Sequence, residues 1–461
     1  MRRGWWLRGF RMPPPGRTRG TSMFYQAAHP QSPWMWDVWV YHHEGVYYLY
    51  SLCASGGEGF DNFSLATSAD GVHWKEVGPV LTKNPGATWM GTGSTWVNPV
   101  PGARPRFQTN YSSWIGNRET IFFAQSDDLI HWAKCGGEHE FVRDERWYEP
   151  NGRWDCIWTL PRPGGGLYGY WTATPKRQRV NEPCGQFGFG ESADGITWTA
   201  LEPPVVRGVG QGEVGAVEKI GERYVMLFGA DMRMVSLVAD RPEGPFIAPA
   251  ANPVFLGGHT YFARFVQSPS GLLVCHHTIA RPTYGKVSVG LLKGTHFDAA
   301  GTLRLTWWPG NEALKHKPVT VPPLAEDPGP IRMLARKLDA AKGVILEGTI
   351  HLPGPLEEPR GLYIEHGRRC GTAILFKHAG RAELGDIAAD GTGFRPEKTV
   401  DREWPFGQTA RFRLALQDAL LEIYLDDVLI ECYSLPAPAT GRIGLIPGRR
   451  RNSIGQLKAW K

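Results

Sequence analysis

Apolar and polar side chains alternate in short runs along nearly the whole chain, and Gly, Pro, Asn and Asp interrupt those runs at close intervals. A period of two marks half-buried β-strands, and the interrupting residues are those that turn a chain. The stretch WMWDVWVYHHEGVYYLYSL (34–52) shows the unit, two aromatic-rich strands around a Glu-Gly turn. A second pattern lies over the first. Small-Ser-x-Asp-x-x-x-x-Trp occurs as ATSADGVHW (66–74), AQSDDLIHW (124–132) and GESADGITW (190–198), with VADRPEGPF (238–246) as a degenerate fourth copy. Ahead of each copy stands a strand of similar design: WMWDVWVYH, GTGSTWVNPV, GRWDCIWTL and GQGEVGAVEKI, with TYFARFVQS as a fifth. Asp37, Trp96, Asp155, Glu213 and Ala263 mark comparable points in these five strands, at intervals of 59, 59, 58 and 50 residues. Repeats of this length, each a small sheet, predict an all-β fold built as a five-bladed β-propeller over 23–325. After the Pro-rich break HKPVTVPPLAEDPGP (316–330), alternating runs from VILEGTIHL to TGRIGLIPG predict a C-terminal β-sandwich over 331–461. Residues 1–22 lack the pattern and are expected to be a disordered extension or an over-called start.

Composition fits an all-β chain. Its 19 Trp, 15 Tyr and 20 Phe favour strands, and its 57 Gly and 37 Pro favour turns. Most of the aromatic rings are expected in the core. The formal charge of +6 gathers in the two terminal pieces and forms no stripe, so no nucleic-acid partner is expected. No apolar run reaches the length of a membrane span, and the leading GWWLRGF is too short for a secretory core. Seven scattered cysteines (53, 135, 156, 184, 275, 370 and 432) contain no CxxC pair. Neither a disulfide framework nor a zinc site is indicated, and reduced thiols predict a cytoplasmic protein. No phosphate loop, nucleotide fingerprint or metal-ligand spacing occurs, so no cofactor and no metal is expected. Nothing in the sequence bears on oligomeric state.

Asp37 heads an otherwise apolar strand, where an unpaired carboxylate is costly. In a propeller the inner strands aim their early residues at one mouth of the channel, which would bring Asp37, Asp155 and Glu213 together. No Lys or Arg is expected beside them, and three converging carboxylates raise the pKa of at least one. Hydrolysis of a glycosidic bond needs one carboxylic acid to protonate the leaving oxygen and one carboxylate facing the anomeric carbon. Glu213 suits the acid, with a longer arm and an apolar strand beyond it. Asp37, short and rigid, suits the nucleophile, and Asp155 stays ionised to steer both. Trp36, Trp39, Trp96 and Trp154 are the candidate sugar-stacking residues. Glu218, five residues past Glu213, is expected on the opposite face and exposed. Asp61 and Asp231 are expected in loops, Asp426-Asp427 in a hairpin turn, and His259, Arg264, His276 and His277 as structural groups of blade five.

These residues carry a resemblance to the β-fructosidases of glycoside hydrolase family 32, and more distantly to the five-bladed furanosidases related to family 43. The fructosidase nucleophile motif Trp-Met-Asn-Asp-Pro-Asn-Gly is similar to Trp34-Met35-Trp36-Asp37-Val38-Trp39. GTGSTWV, TNYSSW and FFAQSDDLIHW stand where the family has its Ser-Gly-Ser segment and the strands after it. Its Arg-Asp-Pro corresponds to Trp154-Asp155-Cys156 and its Glu-Cys to Glu213-Val214, and LLEIYLDDVLIECYS with LKAW resembles its terminal sandwich. Trp154 thus replaces the family's sugar-binding arginine, and Trp36 and Trp39 replace asparagines. The resemblance implies a retaining hydrolase of a terminal furanosyl, fructosidase-like bond, with an oligosaccharide or glycoside as substrate. Asp37 would be its nucleophile, Glu213 its general acid/base and Asp155 the transition-state stabiliser. Two alternatives stand beside it: an inverting arabinofuranosidase-like hydrolase, and a catalytically silent carbohydrate-binding propeller.

Overall fold

A computed structural model describes residues 22–56, 59–116, 118–176, 187–283, 287–321, 329–402, 407–450 and 452–461. Residues 1–21 of the expected extension, Cys184 and residues 322–328 of the Pro-rich link lie outside them. The alternating runs fold into sheets, and in blades one to three these are antiparallel with chain order as spatial order. Blade one is Trp34–His43, Val46–Ala54, Asn62–Ser68 and Lys75–Thr82. The later blades open with the inner strands Thr95–Val97, Trp154–Pro161, Glu213–Ile220 and Thr260–Ser268. The inner strand of blade five packs against those of blades four and one and closes the ring. No helix among the described residues is long and apolar enough to cross a membrane.

The Ser-x-Asp repeat is a turn device. Asp70 Oδ1 accepts the Val72 and His73 N–H groups, and Ser68 Oγ accepts that of Gly71 at 2.9 Å. Asp128 with Ser126, and Asp194 with Ser192, repeat the arrangement in blades two and three. Side-chain oxygens thereby satisfy the backbone between the third and fourth strands of these three blades. Aromatic rings fill the seams between blades. Trp39, Tyr50, Phe63 and Tyr111 share one cluster, and Trp96, Phe141, Tyr148, Trp154 and Trp171 share the next.

The sandwich packs Leu346, Leu414, Leu416 and Ile423 of one sheet against Leu362, Ile374, Phe376 and Leu384 of the other. Blade five does not end at its own last strand. Leu303–Trp307 pairs at Thr306 with Val428 of Val428–Ser434, so one sheet runs from the propeller into the sandwich. The Asp426-Asp427 pair makes the hairpin turn at this seam with φ of 45° and 65°, and the Asp427 carbonyl accepts the Trp307 N–H at 2.7 Å. Pro318–Val319 already pairs with Ala459 and Trp460. Within the span 23–325 drawn from sequence, Pro318–Val319 is thus a strand of the sheet that continues into the sandwich.

Candidate active site

Four of the five inner strands carry a β-bulge close to their starts, at Trp36-Asp37, Cys156, Gly215 and Phe262-Ala263. A bulge sets two residues against one, bends its strand and re-aims a side chain. Cys156 and Phe262 take the left-handed backbone this requires, with φ of 43° and 51°. The bulges turn Asp37, Asp155 and Glu213 toward one another at the same mouth. Asp37 is 8% exposed, Asp155 6%, and the Glu213 side chain 27%.

The acids are not free of cations, which corrects the sequence expectation. Arg153 Nη2 donates to Glu213 Oε1 at 2.9 Å and to Asp155 Oδ2 at 3.2 Å. This guanidinium comes from one position before Trp154, on the other side of the strand from where the family motif directs attention. Arg264, fully buried on the inner strand of blade five, donates to the carbonyl of the Gly215 bulge beneath the acids. Ser112 Oγ donates to Asp155 Oδ1. Gly91 is required beside that oxygen, because a Cβ there would stand 2.6 Å from it and 2.8 Å from the Trp89 ring.

Burial raises the Asp37 carboxyl well above the usual carboxylate range. Glu213 and Asp155 add to the shift, and Arg264 and Arg153 oppose it. Asp155 is also raised by burial, against the pull of Arg153 and Ser112. Burial works against the charge of Arg153, but Glu213, Asp155 and Glu119 outweigh it and hold the guanidinium protonated. The Tyr261 hydroxyl is raised by burial and by the nearby charge of Glu213. Burial thus favours the protonated form of Asp37. Glu213, expected to be the desolvated acid, is instead ion-paired and more exposed.

Behind Asp155 lies a supporting layer that sequence reading missed. Glu119, wholly buried, accepts the Trp154 N–H at 2.8 Å, and burial with the charge of Asp155 pushes its carboxyl up to about 7. Arg143 donates to the Glu119 carbonyl at 3.0 Å and to the Gly152 carbonyl at 2.5 Å, fixing the approach to Arg153.

Of the four tryptophans expected to bind sugar, only Trp36 reaches the site. Half-buried, it lies 4.9 Å from the His277 ring and stacks on Phe60. Trp39 is 1% exposed and donates to Thr95 Oγ1, Trp96 donates to Gln108 Oε1, and Trp154, at 0%, donates to the Phe141 carbonyl. These three rings pack in the aromatic clusters of the blade seams. Trp89 lies by Gly91, on the side of Asp155.

Glu218 also differs from expectation. The Gly215 bulge resets the alternation, so Glu213 and Glu218 oppose Gly229 and Val225, four residues apart, and share a face. Glu218 is half-buried against Gln267, and burial pushes it up to about 7. Asp61 is tied to Ser55 and Asn62, and Asp231 is exposed in the turn after Ala230. His277 faces Asp37, with Nδ1 3.6 Å from Oδ1. His276, Glu422 and Cys432, buried where blade five meets the sandwich, bring ligand atoms within 4.8 Å of one another. Lys293 Nζ lies 2.8 Å from both His276 Nε2 and Glu422 Oε1, so a cation already serves those groups.

No protein-family profile and no curated protein matches this sequence. Solved structures do match. The family 32 β-fructofuranosidase of Bombyx mori is 13% identical with a TM-score of 0.70, over 95% of this chain and 93% of that one. Fructan 1-exohydrolase IIa of Cichorium intybus is 14% identical with a TM-score of 0.67, over 96% and 97%. Exo-inulinase of Aspergillus awamori is 12% identical with a TM-score of 0.68, over 95% and 97%. At this identity the likeness is one of fold, and it spans propeller and sandwich together.

Proposed function

We propose that this protein is a retaining glycoside hydrolase of the family 32 type that removes a terminal furanosyl, fructose-like residue from an oligosaccharide. The observation that carries the reading is the convergence of Asp37, Asp155 and Glu213 on bulged inner strands at one mouth. Its fold neighbours include a β-fructofuranosidase solved with sucrose and a fructan exohydrolase solved with 1-kestose. In this reading Asp37 attacks the anomeric carbon while Glu213 gives its proton to the leaving oxygen. Water, deprotonated by Glu213, then cleaves the glycosyl ester on Asp37. Asp155 accepts hydrogen bonds from ring hydroxyls and complements the positive charge of the transition state.

The resting charge pattern sets a condition on this cycle. The acid pair must carry one proton, and that proton has to sit on Glu213 when Asp37 attacks. Sugar hydroxyls that engage Arg153 would loosen its bond to Glu213 and free that carboxyl for the leaving oxygen. Substrate binding would thus arm the site.

The test is turnover of sucrose, 1-kestose, inulin and an aryl arabinofuranoside by wild type, Asp37→Asn and Glu213→Gln, with the first-formed anomer followed by NMR. Turnover with retained configuration, lost in both variants, supports the proposal. Inverted product favours direct attack by water. Binding without turnover favours the silent carbohydrate-binding reading, for which the bond between Arg153 and Glu213 is the specific argument.

A further inference from the structure

His276 and His277 are neighbours on Gly271–Ile279, the second strand of blade five, and strand alternation sends them to opposite faces. His277 points into the candidate site. Its Nδ1 lies 3.6 Å from Asp37 Oδ1, and its ring is held 4.9 Å from Trp36 and 6.2 Å from Tyr261. The imidazole is 0% exposed, and both its nitrogens and Asp37 Oδ1 are buried without a hydrogen-bond partner. Leaving a buried polar group unpaired costs about 1–3 kcal/mol. Folded proteins keep few such groups, and here two face each other across a bulge.

We propose that His277 is a positioning residue for Asp37, its neutral imidazole donating Nδ1–H to Oδ1 and so fixing which carboxylate oxygen faces the sugar. The inference rests on the glycosidase reading for its catalytic meaning but not for the contact itself. The separation is a few tenths of an ångström beyond a hydrogen bond, and such contacts tighten when a ligand closes the site. Burial presses the His277 pKa down to about 3, so the ring donates without carrying charge. The charges facing Asp37 come from three other strands: Glu213 from blade four, Asp155 and Arg153 from blade three, and Arg264 from the inner strand of blade five. Tyr261 stands on that last strand as well. The two arginines already favour the ionised carboxylate and the two acids oppose it. A neutral donor adds direction to that balance rather than charge.

The contact is tested in the full-length protein by following the carboxyl stretch of Asp37 in infrared difference spectra between low and high pH, with Asp37→Asn as the blank. His277→Leu removes the donor, and His277→Phe removes it while keeping a ring between Trp36 and Tyr261. In both, Asp37 should ionise about one pH unit higher. The acid limb of kcat/KM should move by the same amount on whichever of sucrose, 1-kestose and inulin turns over fastest. The plateau kcat should fall about 10–100-fold with KM changed less than about threefold. His277→Gln, whose amide N–H can reach the same oxygen, should recover most of both effects. Unshifted ionisation of Asp37 in the Leu and Phe variants would overturn the proposal. Shifted ionisation in a protein that cleaves no glycoside would retire the hydrolase reading and leave the contact standing.

Discussion

His276 and His277 are equally buried and one residue apart, yet their surroundings differ in kind. His276 Nδ1 donates to the His277 carbonyl, which leaves Nε2 to accept from Lys293 Nζ at 2.8 Å. That ammonium spends its other two protons on the Leu291 carbonyl and Glu422 Oε1, each at 2.8 Å. Glu422 Oε2 then accepts the Tyr424 hydroxyl. Every member of the set has its partners. On the other face, His277 and Asp37 share no hydrogen bond, and both leave atoms unpaired. A satisfied buried network holds two parts of a fold in register, whereas an unsatisfied one is held by the rest of the fold for another use.

The contrast is broken most sharply at the acids. Asp37→Asn should lower kcat by at least about 10⁴-fold, as loss of a nucleophile does, while the unfolding temperature holds or rises. An amide in that place carries no ionisation to suppress. A variant that lost stability instead would place Asp37 with the structural groups. At the Lys293 network the effects should reverse. Lys293→Met strands the buried Glu422 carboxylate and should cost about 3–5 kcal/mol in urea unfolding, with kcat nearly unchanged. Adding Glu422→Leu should return much of that stability, since an apolar pair of similar volume needs no partner.

Glu119 stands between the two extremes, with one oxygen bonded to the Trp154 N–H and the other unpaired. Its folded-state pKa of about 7 lies above the ordinary 4.5, so the folded chain binds a proton that the unfolded chain has lost. Its effect on stability is therefore smallest at low pH, and stability should fall as pH rises from about 4.5 through 7. Glu119→Gln should flatten that slope, read as urea midpoints at pH 5 and pH 8. The smallest effects should separate the tryptophans. Trp36→Ala should raise KM by about tenfold through lost stacking. Trp154→Phe should leave KM alone and cost about 1 kcal/mol of stability, because the Phe141 carbonyl loses its donor.

Spacing made the architecture legible, and it located the three acids, because each blade repeats its first strand at nearly constant length. It could not place what the bulges rearrange. Arg153 sits one position away from the motif arginine, yet its guanidinium reaches Asp155 and Glu213. The extra residue at Gly215 put Glu218 on the face that simple alternation denied it. Trp39, Trp96 and Trp154 belong to the aromatic clusters of the blade seams, whereas Trp36, in the bulge with Asp37, turns to the site. His277 and Glu119 lie on second and third strands, where the spacing of first strands carries no information. Aromatic content gave the right overall expectation, since most rings pack blade seams.

The pairing of Thr306 with Val428 has a consequence for how the propeller is finished. An outermost blade strand ordinarily presents a row of open amides and carbonyls to any passing strand, and such rows nucleate aggregates. Here the hairpin turning at Asp426-Asp427 meets the end of that row at Thr306 and Trp307 in blade five, so the sandwich acts as a guard for the last blade rather than an appendage. A protein cut before residue 331 would keep all three acids yet bare this margin, and it should self-associate before it loses its shape.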